Sequence, residues 1–351
     1  MTALSGHEPQ IKISIPAAAS RLLGALRRAG FEAYVVGGCV RDSLLGRTPG
    51  DWDICTSARP EQVRTVFSAY RQILTGEKHG TVAVIVGGTP YEITTYRVDG
   101  QYHDSRHPDA VQFVPQVQPD LARRDFTINA MAYAPGEGLI DLYGGRSDLH
   151  ACLMRCVGDP EERFAEDALR ILRAVRLAAQ LDFALEEATE RAALDMRQSI
   201  QNISAERIYT ELDKLLAAPA AGKVLSRYGR ILAGAVPEIE PCIGCTQPGR
   251  WHCYDVWQHT AVAVELLDVA GMDDKMPAFC GGVILCMIWP SRNAAPSART
   301  ARRISPATTR PEVKWRAASC CGSRRLLILW KAPARWLLST MVPCPAMMPV
   351  S

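Results

Sequence analysis

Two carboxylates two residues apart, Asp51 and Asp53, follow a pair of adjacent glycines, Gly37 and Gly38, in the stretch YVVGGCVRDSLLGRTPGDWDICT at residues 34–56. On an extended strand, residues two apart point to the same face, so both carboxylates would present their oxygens together. Such a pair suits Mg²⁺, which takes one or two carboxylates and completes its shell with substrate phosphates. Glycines after a strand let the backbone come close to a ligand, and a following helix aims N–H groups at it, which suits phosphate. The chemistry implied is phosphoryl transfer. Each half alone has an ordinary explanation, the glycines as a plain turn and the D-x-D as a solvated strand end. Their conjunction, with Arg41 and Asp42 between them, is far more specific.

The elements that must position these residues follow from periodicity. Residues 34–36 and 51–55 read as strands, with a short helix over 40–45 between them. An amphipathic helix over 17–29, with Leu22, Leu23 and Leu26 inward, precedes them. A helix over 59–67 follows, then strands over 82–86 and 91–96 joined by a hairpin turn at Gly87 and Gly88. Glu92, Thr94 and Tyr96 then share a face, and Glu92 is either a third carboxylate near the metals or an exposed strand position. The polar run 99–109 lacks apolar periodicity and is a candidate mobile or functional segment.

Further on, RRDFTINAM at 123–131 places Arg123, Arg124 and Asp125 in one cluster, which by itself also reads as a solvated helix start with a capping Asp. Gly144 and Gly145 mark a turn. From Pro160 the period becomes helical, with Arg163, Glu166, Asp167, Arg170, Arg173 and Arg176 at three- and four-residue steps opposite Phe164, Leu169, Leu172, Val175 and Leu177. Taken alone, that face is a row of i,i+3 and i,i+4 ion pairs. Residues 204–216 form a helix with Ser204 as its N-cap and Arg207, Glu211 and Lys214 at helical spacing, read as mostly structural.

Gly37, Gly38, Val40, Arg41, Asp42, Leu45, Gly46, Asp51, Asp53 and Thr56, in that order, resemble the GGxVRD, LG, DxD and T signature of the bacterial tRNA nucleotidyltransferase and poly(A) polymerase family. GEKHGTV, EITTYR, RRDFTINAM, DLYGGRSDL and EDALRILRAVR resemble it too, so the likeness runs over roughly residues 30–264. It implies an α+β fold, a polymerase-β-like nucleotidyltransferase head with a mixed sheet at 31–150. An N-terminal segment and helix (1–30) would precede it. An all-helical neck (151–216) and body (217–277) would follow, then a basic tail (278–351). It implies untemplated addition of CMP and AMP, from CTP and ATP, to the tRNA 3′ end to build its CCA terminus. Asp51 and Asp53 would be catalytic and hold two Mg²⁺ ions, one activating the RNA 3′-hydroxyl and one steadying the pyrophosphate. Gly37, Gly38 and Arg41 would hold phosphates. Arg124 and Asp125 would meet the sugar side, where an acid bonded to a 2′-hydroxyl selects ribonucleotides. Asp167 and Arg170 would template the base, with Arg173 and Arg176 extending a cationic stripe toward the triphosphate or the tRNA. A-adding, CC-adding and poly(A)-adding enzymes share these head motifs.

The 351 residues leave room for two or more domains, and their overall composition is that of an ordinary soluble protein. The net charge of +3 hides an asymmetry, since residues 291–351 carry eleven Lys and Arg against the single acid Glu312. The more acidic remainder would have to grip nucleic acid through local basic patches. With no signal-peptide pattern and no long apolar run, the expected location is cytoplasmic with no membrane, and no protein partner is implied. The twelve cysteines read as reduced thiols. Cys242 and Cys245 with His252 and Cys253 make only a weak case for zinc. Asp255 and His259, one helical turn apart in WHCYDVWQHT, resemble the opening of an HD phosphohydrolase-like domain, yet no later His-Asp pair completes it. An HD-type phosphohydrolase is therefore the alternative from another class, and a pure RNA-binding module a third. After about Met276 acids nearly vanish and periodicity fails. One base out of frame, the codons for residues 286–290 read His or Tyr, Asp, Leu or Met, and Ala, close to the missing motif, which suggests a frameshift.

Overall fold

The chain, in a computed structural model, is described over residues 11–100, 111–246 and 253–266. The opening helix α1 (Ala17–Arg28) buries Ala19, Leu22, Leu23 and Leu26 on one stripe. It leads into β1 (Ala33–Val36), helix α2 (Gly38–Leu44), β2 (Ile54–Thr56) and helix α3 (Pro60–Val66). Strands β3 (Arg71–Ile73), β4 (Thr81–Val86) and β5 (Thr89–Thr95) follow, with Gly87 and Gly88 at φ 60° and 85° making the hairpin turn expected there. A two-stranded ladder pairs β6 (Arg97–Asp99) with β7 (Val111–Phe113), and helix α4 (Val117–Ala122) leads to β8 (Met131–Ala134) and β9 (Gly138–Asp141).

Seven strands form one sheet in the order β3-β4-β5-β2-β1-β8-β9. Only β2 and β5 pair in parallel, so the sheet is mixed. Both of its faces are covered, which is why β1 is an unbroken apolar run rather than an alternating one. Ala33 and Val35 face the larger core with Ile54, Val82 and Ile93, under α1 and α3. Tyr34 and Val36 face a smaller cluster with Cys55, Tyr96, Leu121 and Ala132.

The remainder is helical: α5 (Gly145–His150), α6 (Pro160–Glu166), α7 (Leu169–Leu181), α8 (Glu187–Asp195), α9 (Ala205–Leu216), α10 (Ala221–Leu232) and α11 (Val256–Glu265). One departure from an all-helical neck is a two-residue parallel pair between β10 (Leu153–Met154) and β11 (Ala184–Leu185). The α10–α11 contact is glycine-dependent: a Cβ at Gly229 would lie 2.2 Å from Trp257 Nε1, and Trp257 is fully buried there. Among the described residues no helix is long and apolar enough to cross a membrane. Most of the 99–109 run and the whole tail after residue 266, including the suggested frameshift, lie outside the described residues.

Candidate nucleotide and metal site

The second strand begins later than its sequence pattern suggests. It starts at Ile54, so Asp51 and Asp53 stand in the extended lead-in rather than on the strand itself. The β1 ladder still reaches Asp53, because Val36 N–H donates to its carbonyl at 3.0 Å. The parallel register pairs Ile54 with Ile93, which brings Glu92 up beside Asp53. Burial first, then the nearby Asp51 and Glu92 charges, push the Asp53 carboxyl up to about 6, with Arg124 pulling the other way. The same ground sets Cys39 behind it, pushed up to about 12 by burial and the Asp53 charge.

Crowded carboxylates of one sign are what a divalent cation neutralises, so the residues fit a hard, oxygen-seeking metal. Among the described residues no three His, Cys, Asp or Glu side chains form a ready-made cage. A carboxylate pair can hold a hard divalent cation whose shell is completed by substrate phosphates and water.

Beside the acids lies the glycine turn. Gly37 sits at φ 82°, ψ −130°, a conformation that L side chains rarely adopt, and a Cβ there would lie 3.1 Å from Arg124 Nη1. A Cβ at Gly38 would lie 3.6 Å from Arg41 Nη2. Two guanidinium groups thus flank a backbone kept bare of side chains. Both arginines are held. Arg41 chelates Asp42 through Nε and Nη2 (2.8 and 3.0 Å) and donates from Nη1 to Asn129 Oδ1 (2.7 Å). Arg124 donates to Asp120 at 3.2 Å, and its buried Nε has no hydrogen-bond partner among the described residues. Asp120 is fully buried; burial would raise its pKa, but the Arg124 and Arg123 charges outweigh that and lower it.

Asp125 lies behind this layer. An antiparallel bridge between Phe126 and Cys156 fixes its backbone. Its Oδ1 accepts from Phe126 N–H (2.9 Å) and Asn129 Nδ2 (3.2 Å), and its Oδ2 from Arg173 Nε (2.9 Å) and Nη2 (2.5 Å). Against the burial penalty, Arg173 and Asn129 bring its pKa down to about 2. A carboxylate has about four acceptor positions. All are taken, so a ribose hydroxyl would have to displace one of these donors. In this structure Asp125 anchors Arg173.

Asp167 and Arg170, expected from the resemblance to meet the base, stand at the start of α7. Asp167 Oδ1 accepts from Leu169 N–H at 3.0 Å, and Oδ2 accepts from Arg207 Nη2 at 2.8 Å. Arg170 is tied to Glu166 (2.5 Å) and to the carbonyls of Arg163 and Arg123 (3.2 Å each). Arg173 joins the cluster through Asp125. Arg176 does not extend an outward stripe. It is buried between α7 and α9, paired with Glu211 at 2.5 Å and with Gln180 at 2.6 Å, because on a 3.6-residue turn it has rotated onto the helix face packed against α9.

Sequence reasoning missed Asp120, gave Asn129 no role of its own within RRDFTINAM, and read Arg207 as structural. Asn129 bridges Arg41 to Asp125, and Asp120 gathers Arg123 and Arg124. The usable signal was an acid three and four residues before the two arginines, one helical turn away. The Asp255 of the HD-like phrase caps α11, accepting from Gln258 N–H (2.6 Å) and Gly244 N–H (2.7 Å). His252 of the weak zinc set lies outside the described residues.

Residues 33–155 match the poly A polymerase head domain, and residues 182–240 match the probable RNA and SrmB-binding site of polymerase A. Similar relatives include the CCA-adding enzyme of Leuconostoc mesenteroides, 47% identical over 59% of this chain and 51% of that one. Another is the CCA-adding enzyme of Lactobacillus helveticus, 52% identical over 56% and 49%. The chain spans about half the length of these relatives. Among solved structures, that of the Bacillus stearothermophilus CCA-adding enzyme in complex with CTP is similar at a TM-score of 0.60 and 35% identity, over 78% of this chain and 65% of that one.

Proposed function

The chain belongs to the tRNA nucleotidyltransferase and poly(A) polymerase family, and on that premise we propose that it adds CMP and AMP to the 3′ end of tRNA. The observation that carries the reading is the adjacency of the Asp51–Asp53 pair to a bare glycine turn flanked by Arg41 and Arg124. The names of the similar proteins, CCA-adding enzymes, one of them holding CTP, support CCA addition over the HD-type phosphohydrolase.

Asp51 and Asp53 would hold Mg²⁺, which would ease loss of the 3′-hydroxyl proton and neutralise the pyrophosphate leaving group. The chain's own residues supply the rest. The Gly37–Gly38 backbone admits the triphosphate, and Arg41 and Arg124 grip its oxygens with planar, permanently charged donors. The substrate's 2′-hydroxyl would exchange with the Asn129 amide, the longest of the Asp125 contacts. Asp167 accepts from an exocyclic amine while Arg170 donates to ring nitrogen and carbonyl positions of the base.

The direct test is Asp53→Ala assayed beside the parent for labelled CMP transfer and for tRNA binding. Transfer should fall by on the order of a hundredfold or more, as when a preorganised electrostatic group is removed, with tRNA affinity within a few fold. Turnover at the parental rate would remove the carboxylate pair from the mechanism.

A further inference from the structure

Asp167 is fixed at both oxygens. Leu169 N–H holds Oδ1 from the first turn of α7, and Arg207 Nη2 holds Oδ2 from a separate helix, α9. Two contacts on two oxygens set the position of the carboxylate and also the tilt of its plane. Asp167 and Arg207 remain partly open, with side chains 15% and 21% exposed, whereas the next ion pair along the same seam, Arg176–Glu211, is 11% and 8% exposed. The seam between α7 and α9 thus carries one pair sealed inside it and one at its mouth. α9 is locked in register by the buried Glu211 and Leu215, so the Arg207 guanidinium arrives at Asp167 from a rigid support.

We propose that Arg207 is a positioning residue for base selection, holding the Asp167 carboxylate so that its remaining lone pairs face the edge of the incoming nucleobase. The proposal rests on the reading that Asp167 meets that base. A carboxylate only accepts hydrogen bonds. Cytosine N4 and adenine N6 are donors, whereas uracil O4 and guanine O6 are acceptors at the corresponding edge. A carboxylate held in place therefore attracts C and A and repels U and G. One free to rotate can turn away from an opposing oxygen, and the penalty for the wrong base is lost together with part of the gain for the right one. Arg207 thus acts on the ratio between bases more than on affinity as such.

The test uses the full chain and needs no transfer. Dissociation constants for CTP and UTP, with Mg²⁺, are measured for the parent, Arg207→Met, Arg207→Gln, Arg207→Lys and Asp167→Asn, with thermal midpoints alongside. Arg207→Met should reduce the CTP-over-UTP preference by about tenfold, within the range one good base contact contributes. Arg207→Gln, which stays polar and carries the test if the Met variant does not fold, should do the same. Arg207→Lys, still able to donate to Oδ2, should restore most of the preference. In Asp167→Asn, adding Arg207→Gln should change the ratio no further. A lowered thermal midpoint with the parental ratio intact in both Arg207→Met and Arg207→Gln would overturn the proposal and leave Arg207 as a staple between helices. An unchanged ratio in Asp167→Asn would instead overturn the base reading beneath it.

Discussion

At the residue scale the site is built from carboxylates under opposite constraints. Asp53, half-buried beside Asp51 and Glu92, is pushed up to about 6, while Asp125, buried against Arg173, is brought down to about 2. The difference is one of partners rather than of depth: like charges surround the first and a guanidinium faces the second. The depressed value has a consequence for folding. Its folded pKa lies below the ordinary carboxylate value, so Asp125 contributes stability that is fully present above about pH 4 and is lost as pH falls toward 2, on the order of 2 kcal/mol in all. Urea midpoints at pH 5 and pH 3 should show the parent losing about half of that contribution. In Asp125→Asn this component of the pH dependence should be missing. An identical slope in both proteins would mean the Asp125–Arg173 pair contributes nothing.

At the element scale, helix registers decide which charged residues face the ligand and which face the core. The glycine turn, the amphipathic α1 and the β4–β5 hairpin were all legible in sequence, because glycine at positive φ and a 3.6-residue apolar stripe leave direct marks. The fate of Arg176 was not. Its spacing from Arg170 and Arg173 suggested a shared face, but only the packing of α9 reveals that Glu211 takes it inside. That buried pair makes a prediction of its own. Glu211→Leu alone should destabilise the fold by about 3 to 5 kcal/mol, because it strands a buried guanidinium, whereas combining it with Arg176→Met should recover most of the loss. Thermal melts of both single variants and the double variant would check it, and additive losses would contradict it.

At the scale of the whole molecule, the mixed sheet sets the glycine turn and the lead-in that bears the acids, and α7 ties onto the 123–125 segment through Arg173 on Asp125 and Arg170 on the Arg123 carbonyl. Sequence motifs singled out Asp51, Asp53, Gly37 and Gly38 because D-x-D and GG are local patterns. Asp120 left a local mark, one helical turn before Arg123 and Arg124, whereas Asn129 and Arg207 reach Arg41 and Asp167 across 88 and 40 positions, and no local pattern records such pairings. Whether this assembly extends tRNA is tested most directly by offering it tRNAs ending before CCA, after C and after CC, with each labelled nucleoside triphosphate and Mg²⁺. Two C additions followed by one A, with each truncated end entering the series at its own point, is the predicted result. Addition of A alone to the CC end, A tails on unrelated RNA, or no incorporation on any end would contradict it.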